Sequence, residues 1–158
     1  MFVGINPGAT SGRVGHHFAG PGNPFWRLLH TAKLTPVELR ADEDGRLPEF
    51  QLALVNMAAR PTRTAAELSR KELARGRGLL LAKVRTMRPR VVALVGVTLY
   101  PLVVGAKAAK ASPGPGPKPE LVEGARLFVV PNPSGLNATF PTFEAKLPWF
   151  VALGDFAR

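Results

Sequence analysis

Apolar runs and polar, Gly/Pro-broken stretches alternate along this chain, a pattern that predicts strands separated by helices. Met1–Ile5 is a short apolar run that stops at the Pro7-Gly8 turn. Leu52–Met57, Val91–Val97 and Ala125–Val130 are further strand-like runs, and Val91–Val97 is the clearest buried strand. Asn23–Leu34 reads as a helix whose apolar bulk is Phe25, Trp26, Leu28 and Leu29. Thr35-Pro36-Val37-Glu38 has a capping-box pattern with Pro in the first helical position, which predicts a second short helix. Asp42–Pro48 reads as a polar loop. Ser69-Arg70-Lys71-Glu72 repeats the capping-box pattern and opens a helix reaching about Met87, ahead of Pro89. Thr98–Val104 reads as a helix, and Thr139–Phe156 as a terminal helix interrupted near Pro148. Ser112–Pro119 alternates Pro with Gly and reads as an exposed, mobile loop. The order predicts one domain over residues 1–158. Its expected form is a three-layer αβα sandwich on a central, mostly parallel, four-stranded sheet. Ligands of such sheets bind at the carboxyl ends of the strands.

Composition narrows the chemistry. The chain has 158 residues, no Cys and three His. Without Cys there are no disulfides, thiolate zinc sites, cysteine-ligated clusters or cysteine nucleophile. Three His supply a histidine-rich metal site poorly. No apolar run approaches the length of a membrane span, and the start lacks a signal peptide's basic region. The expectation is a soluble cytoplasmic domain. Lys and Arg number 21 against 11 Asp and Glu, a net charge of +10, which suggests a polyanionic partner. The excess concentrates in residues 61–90, with 9 basic and 2 acidic side chains. Leu73, Leu80, Val84 and Met87 form one helical stripe there, while Lys71, Arg75 and Arg85 fall opposite. That face reads equally as a solvated surface or a phosphate-facing one, so none of these residues is assigned to a site.

Three predicted strand ends and one Gly/Pro-rich loop carry unusual polar sequences. They are Gly4-Ile5-Asn6-Pro7-Gly8, the loop Gly15–Trp26 with His16, His17 and Phe18, Val55–Thr62 with Asn56, and Val130–Asn137. Each alone reads as a turn: Asn caps its own backbone in Asn-Pro-Gly sequences, and adjacent His residues rarely share one ion. Their order, spacing and position together are specific. From Gly4 to about Asn137 the chain resembles the mismatch-specific uracil/thymine-DNA glycosylases, a branch of the uracil-DNA glycosylase superfamily. Gly4–Gly8 is similar to that family's water-activating motif, Gly15–Trp26 to its pocket-wall loop, and Asn132–Asn137 to its DNA-insertion loop. Asn56–Thr62 matches the stretch after its second strand.

The resemblance implies a role for each matched residue. Asn6 orients the attacking water through its carbonyl oxygen, and Thr62 places a hydroxyl near that water. An amide cannot take a proton as a carboxylate does, so a slow enzyme relying on leaving-group stabilisation is expected. Ile5, Ser11, His17, Phe18 and Asn56 form the base pocket. Phe18 stacks on the flipped base, Ser11 leaves room at its 5-position, and Asn56 reads the pyrimidine edge. Asn56 and Thr62 read equally well as local strand-end caps. Gly135 and Leu136 enter the gap left by the flipped base, while Asn132, Ser134 and Asn137 contact phosphates or the widowed guanine.

The implied activity is that of a monofunctional DNA glycosylase in base excision repair. It excises uracil, with thymine and etheno-cytosine within its range, opposite guanine in double-stranded DNA and leaves an abasic site. No lysine is placed as a Schiff-base nucleophile, so no lyase step is expected. No metal or organic cofactor is called for, and the protein is expected to act as a monomer in a bacterial cytoplasm, on nucleoid DNA. A rival reading is a mismatch- or lesion-binding protein with little or no turnover, because a catalytic carboxylate is absent. A nucleotide-binding doubly wound domain is disfavoured, since no phosphate-binding glycine motif follows a strand. Two departures stand out. Ala138 occupies a position where some relatives carry Arg. The family's first strand is longer and follows a further segment, so the chain is expected to lack the family's beginning.

Overall fold

The computed structural model describes residues 1–158. Five strands form one sheet: β1 (Phe2–Gly4), β2 (Leu54–Asn56), β3 (Val91–Val95), β4 (Gly116–Val122) and β5 (Ala125–Val130), in the spatial order β2-β1-β3-β5-β4. The first four strands of that order run parallel, and β4 lies antiparallel on β5 as an edge. Both faces are covered, which is why β3 and the Leu127–Val130 part of β5 are continuous apolar runs rather than alternating ones. Phe2, Ala93, Val95, Phe128 and Val130 point to one face. There they meet Phe25, Leu28 and Leu29 of α2 (Phe25–Thr31) and Phe150 and Leu153 of α6 (Phe143–Ala157). Val3, Val92, Leu94, Leu127 and Val129 point to the other. They pack on Leu80 and Val84 of α3 (Arg70–Met87) and on Leu99, Tyr100 and Val103 of α4 (Leu99–Val104). The αβα sandwich is therefore as the chain's pattern predicts.

The structure corrects four details. The sheet has five strands, not four, because the segment 112–119 is a loop only as far as Pro115. Pro117 and Pro119 are exposed on an edge strand, where a missing N–H is tolerated. Lys118 between them is buried and donates to the carbonyls of Ser112 (2.6 Å) and Gly114 (2.7 Å), tying the loop to the strand. Second, no helix forms at Thr35–Glu38. The buried Thr35 hydroxyl instead donates to the Val37 carbonyl at 2.8 Å, a local bond that competes with the helix. Third, a 3₁₀ helix spans Ala41–Phe50 where a polar loop is expected. Leu47 anchors it in the core, and the Arg40 N–H donates to Glu43 at 2.8 Å at its start. Fourth, α6 runs uninterrupted through Pro148. Pro148 and Glu144 are both exposed, so the carbonyl left without a donor faces water while Phe150 and Leu153 hold the helix down. Two short helices, α1 (Ala9–Val14) and α5 (Ala106–Ala111), have no counterpart in the expected pattern.

The parallel strands end on one side of the sheet, at Gly4, Asn56, Val95 and Val130. All of the polar strand-end sequences emerge there. No helix is long and apolar enough to cross a membrane.

Candidate active site

A cavity of about 420 Å³ opens at these carboxyl ends. Ile5, Asn6, Ser11, His17, Phe18, Asn56, Thr62, Asn132 and Ser134 all line it, so nine of the twelve residues expected at the site meet in one place. Leu136 and Asn137 line a neighbouring cavity of about 380 Å³, which shares Asn132 and Ser134 with the first. Gly135 lines neither.

The orientation of Asn6 follows from its partners. Its Nδ2 donates to the Arg60 carbonyl at 2.9 Å and to Thr62 Oγ1 at 2.7 Å. Thr62 Oγ1 gives its own proton to the Thr64 carbonyl at 2.7 Å, so it can only accept from Asn6. Two acceptors thus fix the amide nitrogen, and the Oδ1 atom makes no hydrogen bond within the protein. The Thr62 N–H donates to the Pro7 carbonyl at 3.2 Å, which joins the two strand-end segments directly. Arg60 is held in turn by Glu72, at 2.6 Å and 3.1 Å, and by the Glu67 carbonyl. The Arg60 guanidinium holds the Glu72 carboxyl down to about 2. Thr62 therefore acts on Asn6 as well as standing at the cavity wall.

An aromatic column rises from the core to the cavity wall. Phe18 stacks on Phe25 with ring centroids 4.1 Å apart and 24° between planes, and Phe2 meets Phe25 edge-on. Phe18 has φ of 48°, a left-handed conformation that costs a non-glycine residue about 1–3 kcal/mol. The surrounding loop holds it there. Asp44 Oδ2 accepts from the His17 N–H at 3.0 Å while Oδ1 lies 3.1 Å from His16 Nδ1. Trp26 Nε1 donates to the His17 carbonyl, and the Ala19 N–H donates to Ser11 Oγ at 3.0 Å. Burial pushes the His17 imidazole below its ordinary value, outweighing the pull of Asp44.

Asn56 lies across the floor. A Cβ on Gly4 would sit 2.7 Å from Asn56 Oδ1 and 4.0 Å from Phe18, so only glycine lets the amide lie there. The Asn56 side chain makes no hydrogen bond within the protein and faces the cavity with its edge free. No carboxylate lines the cavity, and Arg63 is its only charged lining residue. No group of three His, Asp or Glu side chains is placed to hold a metal ion.

The Asn132–Asn137 loop is built differently. Asn132 Oδ1 accepts from the Ser134 N–H at 2.9 Å, and Ser134 Oγ from the Leu136 N–H at 3.3 Å. Asn137 Nδ2 donates to the Asn132 carbonyl, while its Oδ1 accepts from the N–H groups of Thr139 and Phe140. These side chains close the loop on itself and leave Leu136 at its tip, 95% exposed.

Sequence reasoning missed Asp44, Arg60, Glu72 and Arg63. Asp44 sits in a stretch read as a polar loop, and the spacing of the Arg60–Glu72 pair carries no local signal. Arg63 is one of many basic residues in its region. A comparison with known families matches residues 1–152 to one described as the uracil DNA glycosylase superfamily.

Proposed function

The chain belongs to the uracil DNA glycosylase superfamily, and from that premise we propose a monofunctional enzyme that prefers uracil mispaired with guanine in duplex DNA. Membership makes it a DNA glycosylase acting on uracil in DNA, within base excision repair. The preference for G:U, the lack of a lyase step, the acceptance of thymine or etheno-cytosine and the residue roles are our reading.

The observation that carries it is the fixed Asn6 amide, with its free Oδ1 in a cavity that holds no carboxylate. In the proposed reaction the sugar C1′–N1 bond breaks first, and the electron pair leaves with the base as an anion. The sugar becomes oxocarbenium-like. A water held by Asn6 Oδ1 attacks C1′ and releases its proton to solvent, since an amide cannot accept it. Phe18 stacks on the flipped base, worth about 1–3 kcal/mol. Asn56 hydrogen-bonds the pyrimidine edge, and the backbone N–H groups of the Asn6–Gly8 turn polarise the base carbonyl. Leu136 fills the vacated stack and offsets part of an unstacking cost of roughly a few kcal/mol. The protein works as a monomer on this reading, in the cytoplasm.

The empty place of the carboxylate also favours a second reading, a lesion-binding protein with little turnover. The two part in one experiment. Excess protein is incubated with a U:G duplex, and abasic sites are then cleaved with alkali. Scission only after alkali is the expected result. Tight binding without scission would establish the binding protein instead, and scission without alkali would show a lyase step.

A further inference from the structure

Arg63 stands apart from the other basic residues around it. Thr62, Arg63, Thr64 and Ala65 form one wall of the cavity. That wall is braced at several points. The Thr62 N–H donates to Pro7, the Thr62 hydroxyl to Thr64, and the Thr64 N–H to Glu67 Oε2 at 2.8 Å. The backbone that carries Arg63 is therefore fixed relative to Asn6. Its side chain is exposed and belongs to none of the ion pairs. Arg60 and Arg85 are engaged with Glu72 and Glu123, and the Arg77 Nε donates to the Val103 carbonyl. Of all the residues lining the cavity, Arg63 alone carries a full charge.

A nucleotide whose base enters this cavity must leave its sugar and flanking phosphates at the mouth. The cavity wall is otherwise neutral, so a phosphate there meets one cation. We propose that Arg63 is the phosphate clamp of the flipped nucleotide: its guanidinium binds a backbone phosphate next to the excised base and sets the depth of the nucleotide against Asn6. Arginine suits this, because its planar fork pairs with two phosphate oxygens at once. The inference rests on the proposed base-flipping reading of the same cavity. It also gives one member of the basic 61–90 stretch a task that follows from its place, since Arg63 alone among the basic residues of that stretch lines the cavity.

Salt dependence supplies the test. Each phosphate neutralised on B-form DNA steepens the dependence of log affinity on log salt by about 0.9. Binding and single-turnover excision are measured on a U:G duplex across a salt series for wild type, Arg63→Gln, Arg63→Lys and Arg85→Gln. Arg63→Gln should weaken binding about tenfold at low salt and make the slope shallower by about 0.9. Its excision rate at saturating protein should fall about threefold to tenfold as positioning loosens. Arg63→Lys should restore the slope but only part of the rate, since a point charge lacks the fork. Arg85→Gln, at the far end of the sheet, should leave slope and rate within about twofold. An Arg63→Gln slope equal to wild type overturns the clamp, while excision by wild type keeps the proposed function standing. A shallower slope with no excision by wild type would do the reverse: it keeps the clamp and sinks the glycosylase reading.

Discussion

The cavity and the Asn132–Asn137 loop sit side by side yet are held by opposite means. The cavity residues are fixed by bonds between distant parts of the chain: Asn6 to Arg60 and Thr62, His17 to Asp44, and Trp26 to His17. The loop is closed almost entirely by bonds between residues two to five positions apart. Bond breaking at a sugar needs groups held to a fraction of an ångström, which only cross-braced segments provide. A wedge entering a base stack needs something else. It must present an apolar tip to solvent before DNA arrives, and a self-closed loop does that without help from the rest of the fold. Leu136 is that tip. If the proposed roles hold, the difference teaches that the two tasks are separable, one resting on the tertiary structure and the other on a local turn.

Breaking the cavity side should cost most. Asn6→Ala is expected to lower single-turnover excision about 10²- to 10³-fold, the usual loss when one preorganised group is removed from an active site. Binding to a U:G duplex, measured by anisotropy, should stay within about twofold. Breaking the loop side should cost less. Leu136→Ala should lower excision from a U:G duplex about tenfold by removing part of the wedge. Its melting temperature should match wild type, because the side chain is exposed and packs on nothing that folding needs.

Thr62→Val sharpens the cavity side. It removes one of the two acceptors that orient Asn6 and should slow excision between about twofold and tenfold, the value of one hydrogen bond. Thr62→Ser should restore it. The smallest effect concerns pH. The folded His17 resists protonation, whereas the unfolded chain protonates near its ordinary value of about 6.5. As pH falls below about 6.5 the unfolded state takes up the proton first, so stability drops towards the lower folded value and is unaffected above it. Thermal melts from pH 5 to 8 should show this fall, and His17→Gln should flatten it.

The same contrast explains what the sequence made legible. Long apolar runs such as Val91–Val95 and Ala125–Val130 announce themselves, and so does the Ser69–Glu72 cap. The candidate residues Asn6 and Asn56 are legible because they sit at strand ends, which a parallel sheet gathers on one side; Thr62 follows Asn56 in the same segment, and Phe18 stands out only as an aromatic residue in a Gly/Pro-rich loop between α1 and α2. Their braces are not legible. Asp44 lies in a stretch with one buried apolar residue, Leu47, so nothing marks its 3₁₀ helix. Lys118 hides a strand inside a Pro/Gly sequence, because its buried ammonium is satisfied by carbonyls that exist only once the loop is folded. Thr35 misled through its own chemistry: the hydroxyl that could cap a helix bonds instead to Val37. Local patterns thus point to the residues that line the cavity, and tertiary bonds decide how each is aimed.

The division between cavity and loop is tested most directly with uracil placed opposite an abasic site. That substrate has no base pair to break and no partner base to read. Single-turnover excision is compared on it and on the U:G duplex for wild type, Asn6→Ala and Leu136→Ala. The account predicts that Asn6→Ala stays about 10²- to 10³-fold slow on both, while Leu136→Ala returns to within about twofold of wild type on the unpaired uracil. A Leu136→Ala defect of equal size on both substrates would contradict it.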